Sequence, residues 1–226
     1  MNEANLQNLL SNPNTVLVII IVVLGIAGYV AKALKDSKRG KEYDSIASEM
    51  RLNKLPAFQD IAAIYGDEIA KQFPGFSKMI LLRYGGLFVS YAQGEFFRAE
   101  SKQKSKEIRY SRRDTAAGRN SREVEVTETH EYEGVLFDLG REAMPHFNVD
   151  YSILRDLYRD FGAAQGGGYA KYFNQKTLEL IVNMLPGVSV CSTGKALMFY
   201  SKAYSVKDMR QFIMNASKAA EYMLGV

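Results

Sequence analysis

The chain has 226 residues, of which 47% are hydrophobic and 24% are charged, and its formal net charge is +4. These fractions are typical of a folded protein and exclude a disordered tail, and the small net charge does not by itself indicate a nucleic-acid partner. There is a single cysteine, Cys191, so no disulfide can form within the chain, which agrees with a reducing cytoplasmic location.

An uncharged apolar stretch from Thr15 to Ala31 predicts a transmembrane helix over residues 15–34. At about 1.5 Å per residue, a 20-residue helix crosses roughly 30 Å of hydrocarbon. Residues 16–23 are all Val, Leu or Ile, which argues against the alternative of a buried core helix. The short N-terminus, residues 1–14, is polar and has no Lys or Arg, which argues against the other alternative, a cleaved signal peptide.

The charges that flank the apolar stretch predict its orientation. Five bases follow it within a short distance, against the single acid Asp36: Lys32, Lys35, Lys38, Arg39 and Lys41. By the positive-inside rule, the N-terminus is expected outside and the C-terminal domain in the cytoplasm, as in a single-pass protein of an inner or plasma membrane. The same flank has the charge needed to contact anionic lipid head groups.

Residues 35–75 are predicted to form a juxtamembrane helical segment. Its main helix, from Pro56 to Phe73, has apolar residues at helical spacing and is stopped by Pro74 and Gly75. The polar face of this helix is acidic, which favours packing on its own domain over lying on lipid.

Residues 76–142 are predicted to form an antiparallel β region, because the connections between its apolar runs are too short for crossover helices. A first strand ends at Tyr84, and the pair Gly85-Gly86 is predicted to be a turn or a bulge. A second strand runs to Tyr91, and Gly94 is predicted to interrupt the chain before a third strand.

The charge pattern of residues 98–142 predicts a long hairpin. Residues 98–122 hold nine bases and three acids, and residues 123–142 hold seven acids and one base. A basic strand that pairs with an acidic one places opposite charges across from each other and fixes the register.

The tip of this predicted hairpin is a candidate anion-binding site. Four arginines lie in or beside it: Arg112, Arg113, Arg119 and Arg122. They would bind phosphate on a lipid or a nucleic acid. The neighbouring acids would weaken their field, and Tyr110 is the only aromatic residue among the bases, which weighs against nucleic acid.

Residues 143–226 are predicted to form an α-β-β-α region that folds as a helix-hairpin-helix layer. Asp150 and Asn174 are the expected N-caps of two helices. The hairpin strands are expected at Val188–Cys191 and Ala196–Tyr200.

A turn around Gly194 is expected to join these two strands. The last helix is expected to open with a capping box from Ser205 to Asp208.

No residue pattern in the sequence indicates catalysis or metal binding. His130 is expected to face solvent and His146 to pack, and neither belongs to a zinc motif. A nucleophilic couple between Cys191 and a histidine has no local signature. The acids Glu131 and Glu133 share a strand face, but nothing indicates a pocket around them. We therefore expect no catalytic residues, no cofactor, no metal and no enzymatic activity.

Together these patterns predict an α+β fold. One N-terminal transmembrane helix is followed by a cytoplasmic domain with an antiparallel β-meander and a C-terminal helix-hairpin-helix layer. The expected function is that of a scaffold or accessory subunit of a membrane-associated assembly, with a protein partner or a second copy of the chain. The alternative is a membrane-surface sensor that binds anionic lipid through its basic segments.

Overall fold

The fold is α+β, with a long apolar helix near the N-terminus and an antiparallel sheet. Contacts divide the chain into two compact units, Met1–Ser48 and Glu49–Val226. The structure is a computed structural model that describes residues 13–57, 79–110, 121–141, 143–161, 172–202 and 207–225.

The described elements follow one another as helix, strands, two helices, hairpin and helix. The helices are α1 (Pro13–Glu49), α2 (Tyr151–Arg159), α3 (Gln175–Met184) and α4 (Met209–Leu224). The strands are β1 (Asn53–Lys54), β2 (Met79–Val89), β3 (Ala92–Tyr110), β4 (Ser121–Asp138), β5 (His146–Val149), β6 (Ser189–Thr193) and β7 (Ala196–Lys202).

Helix α1 is long and apolar enough to cross a membrane, and its most apolar window has a mean hydropathy of 2.6. Its side chains from Leu17 to Leu34 are exposed, whereas Tyr43 and Ile46 are buried. The helix continues through the basic flank to Glu49 without a break. The helix predicted from Pro56 to Phe73 lies outside the described residues from position 58 onward.

The sheet has the order β1-β2-β3-β4-β7-β6-β5 in the described part of the chain, and each neighbouring pair is antiparallel. This order confirms the predicted antiparallel sheet for β2, β3 and β4, whereas β1 was not predicted and lies within the segment expected to be helical. The C-terminal hairpin β6–β7 joins the same sheet, because β7 pairs with β4.

Of the two alternatives predicted for Gly85-Gly86, the bulge is confirmed, and the turn, with its separation into two strands, is wrong. Strand β2 is continuous from Met79 to Val89, and the glycines form a bulge inside it, where the register shifts between Gly85 and Leu87. Gly86 has a φ of 112°, a backbone conformation that glycine adopts without a steric cost.

The predicted interruption at Gly94 is also wrong. The turn between β2 and β3 lies at Ser90-Tyr91, and β3 runs through Gly94 without a break. A Cβ atom at Gly94 would lie 2.6 Å from the ring of Phe137. Close packing, and not a change of chain direction, therefore accounts for this glycine.

Both faces of the sheet are buried near its centre. Alternate residues on one face form a core with aromatic contacts, such as the stacked rings of Tyr84 and Phe96 at 4.7 Å and the edge-on rings of Phe137 and Phe199 at 6.5 Å. The opposite face has a second buried cluster: Phe97, Ala99, Leu136, Cys191, Ala196, Met198 and Tyr200.

The C-terminal helices begin close to the predicted positions. Asn174 caps α3, since its Oδ1 accepts a hydrogen bond from the backbone N–H of Thr177 at 2.9 Å. Asp150 precedes α2, but its carboxylate accepts a hydrogen bond from the Ser189 hydroxyl instead of capping the helix. Helix α4 is capped by Asp208 itself, and Ser205 lies outside the described residues.

Candidate functional site

The most distinctive surface of the described chain is a two-stranded ribbon that extends beyond the rest of the sheet. Among the described residues, β2 pairs with β3 as far as Glu100, and β7 pairs with β4 as far as Tyr132. Beyond these points, ten further residue pairs join β3 to β4, from Ser101↔His130 to Tyr110↔Ser121. No other described strand pairs with either of them over this length. At about 3.4 Å per residue, this ribbon projects by about 30 Å.

The two strands of the ribbon carry opposite charge. Residues 101–110 have four bases and one acid, and residues 121–130 have three acids and one base. The register brings the two signs together, because Lys106 lies across from Glu125 and forms an ion pair with Glu123 at 3.3 Å. This confirms the predicted basic-acidic hairpin. Both partners of the ion pair are largely exposed, so the contact contributes at most about 1 kcal/mol.

A buried charge cluster lies at the root of the ribbon. Arg98 on β3 is directly opposite Glu133 on β4 and forms an ion pair with Glu131. Arg98 is 5% exposed and Glu133 is fully buried. Charges buried in this way are costly to desolvate, but they strongly penalise any arrangement that separates them. The cluster therefore fixes where the ribbon leaves the sheet.

A second buried ion pair lies in the body of the sheet, beside the bulge. The guanidinium of Arg83 donates to both carboxylate oxygens of Glu95, with the Nη2–Oε2 distance at 2.6 Å, and Nη1 also donates to the carbonyl of Pro56. The pair lines a cavity of about 350 Å³, together with Asn53 and the exposed ring of Phe88. Since the arginine and the glutamate neutralise each other, the cavity has no uncompensated charge from this pair.

A further cavity, of about 280 Å³, lies between the end of α3 and the start of α4. Leu185, Val188 and Phe212 line it, with Lys207 and Asp208 at the polar side. Asp208 is already engaged as the N-cap of α4. Nothing in the lining resembles a reactive group.

The basic flank predicted from sequence lies on α1. Lys32, Lys35, Lys38 and Lys41 are exposed, and Arg39 is buried. The Arg39 guanidinium forms an ion pair with Glu42 at 2.8 Å and lies 5.4 Å from the centre of the Tyr43 ring. The four lysines, and not Arg39, are therefore the exposed cations of this flank.

The predicted anion-binding tip is only partly described. Arg112, Arg113 and Arg119 lie outside the described residues. Arg122 is placed by its backbone in β4, opposite Arg109.

The structure does not bring the cysteine and the histidines into a catalytic arrangement. Cys191 is 1% exposed, and burial raises the pKa of its thiol to about 12, so it is not a nucleophile at neutral pH. Its register partner is Asn148, whereas His146 pairs with Thr193. His146 is exposed, so the prediction that it packs is wrong, because the buried side of β5 belongs to Phe147 and Val149.

His130 lies on the ribbon, half-exposed, with its Nε2 3.3 Å from Glu128. The buried pairs Arg83–Glu95 and Arg98–Glu131 were not predicted from the sequence, which placed Arg98 only at the start of a basic run. Charge matching alone would not have given the register, because the observed one also places Arg109 opposite Arg122 and Glu100 opposite Glu131.

Among the described residues, no group of three or more His, Cys, Asp or Glu side chains is placed to hold a metal ion. No family model, no curated protein and no solved structure matches this chain.

Proposed function

We propose that this protein is a single-pass, membrane-anchored scaffold or accessory subunit without enzymatic activity, which holds a protein partner at the membrane through its projecting ribbon. The ribbon is the observation that carries the proposal. An isolated two-stranded hairpin is marginally stable in water, and this one has a buried charge cluster at its root that maintains its direction. Such a projection adds little to the core, which favours a role in contacting another molecule.

In this proposal, α1 spans the membrane with the N-terminus outside and the domain in the cytoplasm. The exposed lysines that follow the apolar stretch support this orientation. The C-terminal helices and the hairpin β6–β7 support the strands from which the ribbon projects. A membrane anchor raises the effective concentration of the ribbon near any partner in the same membrane.

Site-specific cross-linking in the membrane tests the proposal. A photoreactive residue replaces Lys106, which is 76% exposed on the ribbon, and in a matched variant it replaces Ile153, which is 44% exposed on α2. We expect a discrete, stoichiometric cross-linked product from position 106 and none from position 153. Equal products from both positions, or no product at 106, would contradict a partner at the ribbon.

The second candidate is a sensor of anionic lipid, which the four exposed lysines of α1 favour. In vesicles that contain the full chain, phosphatidylserine should then be enriched around the anchor, and high salt should abolish this enrichment. The Arg112/Arg113→Glu variant reports whether the hairpin tip contributes. Recruitment that is equal for neutral and anionic lipid would eliminate this candidate.

A further inference from the structure

The outer edge of β4 is the part of the ribbon whose surroundings are best defined. Strand β7 pairs with this edge from Asp138 to Tyr132 and then ends at Lys202. From His130 back to Ser121, no further described strand lies along it. An extended strand has N–H and C=O groups on both sides, so, as far as the described residues go, this edge offers a template of about ten residues for another strand.

The side chains along this edge are acidic and accessible. Glu123 is 65% exposed even though it contacts Lys106, and Glu128 is 54% exposed. Val124 and Val126 alternate with acids and are half-buried. Strand β3 lies along only one edge of β4. A strand added along the other edge would therefore also lie next to the same carboxylates.

The charge pattern decides which kind of strand fits. A second copy that pairs through the same edge, β4 against β4, would place glutamates against glutamates, which is destabilising. An acidic strand would be repelled by these carboxylates, and a neutral strand would gain no charge attraction from them. A strand that places Lys or Arg opposite these glutamates makes the kind of cross-strand pair that Lys106 and Glu125 make inside the chain.

We infer that the outer edge of β4, over residues 121–130, binds a basic, extended segment of a partner protein as an added strand. The added strand is antiparallel to β4 and continues the line of β7, so main-chain hydrogen bonds supply affinity and the glutamates supply selectivity. This inference rests on the proposed function, because it names the partner of the same ribbon.

A synthetic peptide tests the inference with the full chain in nanodiscs of neutral lipid. The probe is a fluorescein-labelled decapeptide of lysine alternating with valine or threonine, and its control has glutamate in place of each lysine. We expect anisotropy to report saturable binding of the lysine peptide, weaker by at least about tenfold at 500 mM than at 50 mM salt. The glutamate peptide should not bind.

Protein variants locate the site. Glu123→Lys/Glu128→Lys should weaken binding of the lysine peptide by at least about tenfold. The matched control, Glu179→Lys/Glu221→Lys, changes the charge equally at exposed positions on α3 and α4, and it should bind as the wild type does.

Hydrogen exchange separates strand addition from charge attraction alone. Strand addition predicts that amides in residues 121–130 become protected when the lysine peptide binds. Binding without that protection, or with protection elsewhere, overturns the inference, as does a failure of the lysine peptide to bind.

The two proposals fail in different ways. If the peptide does not bind but position 106 still yields a stoichiometric cross-link, the strand-addition inference is wrong and the ribbon scaffold stands. If position 106 yields no cross-link, the proposed function itself is wrong. A dimer of the full chain that disappears in Glu123→Lys/Glu128→Lys would replace the basic partner with a second copy and so overturn the inference.

Discussion

Two side chains on the same face of the sheet lose their acidity through burial. Burial raises the pKa of the Cys191 thiol from 9.0, and that of the Tyr200 phenol from 10.0, in each case to about 12. Both groups therefore stay neutral in the folded state over a pH range in which the unfolded chain ionises. The stability that the folded protein gains by burying these groups in their neutral form is complete below about pH 9. It decreases as the pH rises towards 12.

The first prediction follows from this difference. Above about pH 9, the unfolded thiol releases its proton and the folded thiol keeps it, so a rise in pH favours unfolding. Urea denaturation of the wild type between pH 7 and pH 11 should show a free energy of unfolding that declines above pH 9. Cys191→Ala should be less stable at pH 7 but should show a shallower decline. An identical decline in both proteins would show that Cys191 does not titrate as its burial implies.

Gly134 supports a second prediction at the scale of one residue. It lies in β4, where an added Cβ atom would be 2.7 Å from the carbonyl oxygen of Phe199 and 2.7 Å from the ring of Phe97. Backbone cannot yield cheaply, so Gly134→Ala should reduce the free energy of unfolding by about 1–3 kcal/mol. Gly40→Ala is the control, because a Cβ at that helical position meets nothing within 4 Å. Equal stability of the two variants would contradict the packing argument.

At the scale of elements, the ion pairs between β3 and β4 differ in burial from the root of the ribbon to its end. At its root Arg98 is buried, and towards its end Lys106 is 76% exposed, although each forms an ion pair with a glutamate of β4. A buried pair that loses one partner leaves an unmatched charge in the protein interior, whereas an exposed pair is replaced by water.

The third prediction compares these two bases directly. Arg98→Met should destabilise the domain by about 3–5 kcal/mol, because Glu131, which is largely buried, loses the guanidinium with which it forms an ion pair. Lys106→Met should cost less than about 1 kcal/mol. Denaturation midpoints of the two variants measure the contrast. In the double variant Arg98→Met/Glu131→Gln, part of the loss should be recovered, and a purely additive result would show that the two residues are not coupled.

The sequence predicted which helices and strands are present better than it predicted the residues at which they begin and end. Alternating hydrophobicity and the division of charge were sufficient for the β region and the hairpin, since both signals are local. The sequence left Gly85-Gly86 open between a turn and a bulge, and it did not reveal the packing at Gly94, because a bulge, a close packing site and a turn can each require the same residue. The turn at Ser90 has no glycine at all, although Ser90 has a φ of 55°.

Across the whole molecule, what the sequence could not supply was pairing between distant segments. The β6–β7 hairpin was predicted as part of a separate layer, yet β7 completes the central sheet beside β4. This long-range pairing gives β4 an outer neighbour as far as Tyr132, and beyond that residue no further described strand lies along the edge. The ribbon could be predicted from charge, but its accessible edge and buried root required the register.

The orientation of the anchor gives the last prediction, and it concerns the whole chain. In a Cys191→Ala background, one cysteine is placed at Asn5, before the apolar stretch, and in a second variant one is placed at Ser152, which is exposed on α2. The bases that follow the apolar stretch predict that an impermeant maleimide labels position 5 in intact cells and labels position 152 only after permeabilisation.

Changing the flank tests the cause of that orientation. The test variant has Gln in place of four lysines and four added lysines before residue 13; the replaced residues are Lys32, Lys35, Lys38 and Lys41. These changes reverse the charge bias across the apolar stretch, so a fraction of the chains should label at position 152 in intact cells. The same number of added glutamates is the control, since acids contribute little to orientation. Loss of residue 5 from the mature chain would instead identify a cleaved signal peptide, and labelling of both positions in intact cells would exclude the proposed cytoplasmic domain.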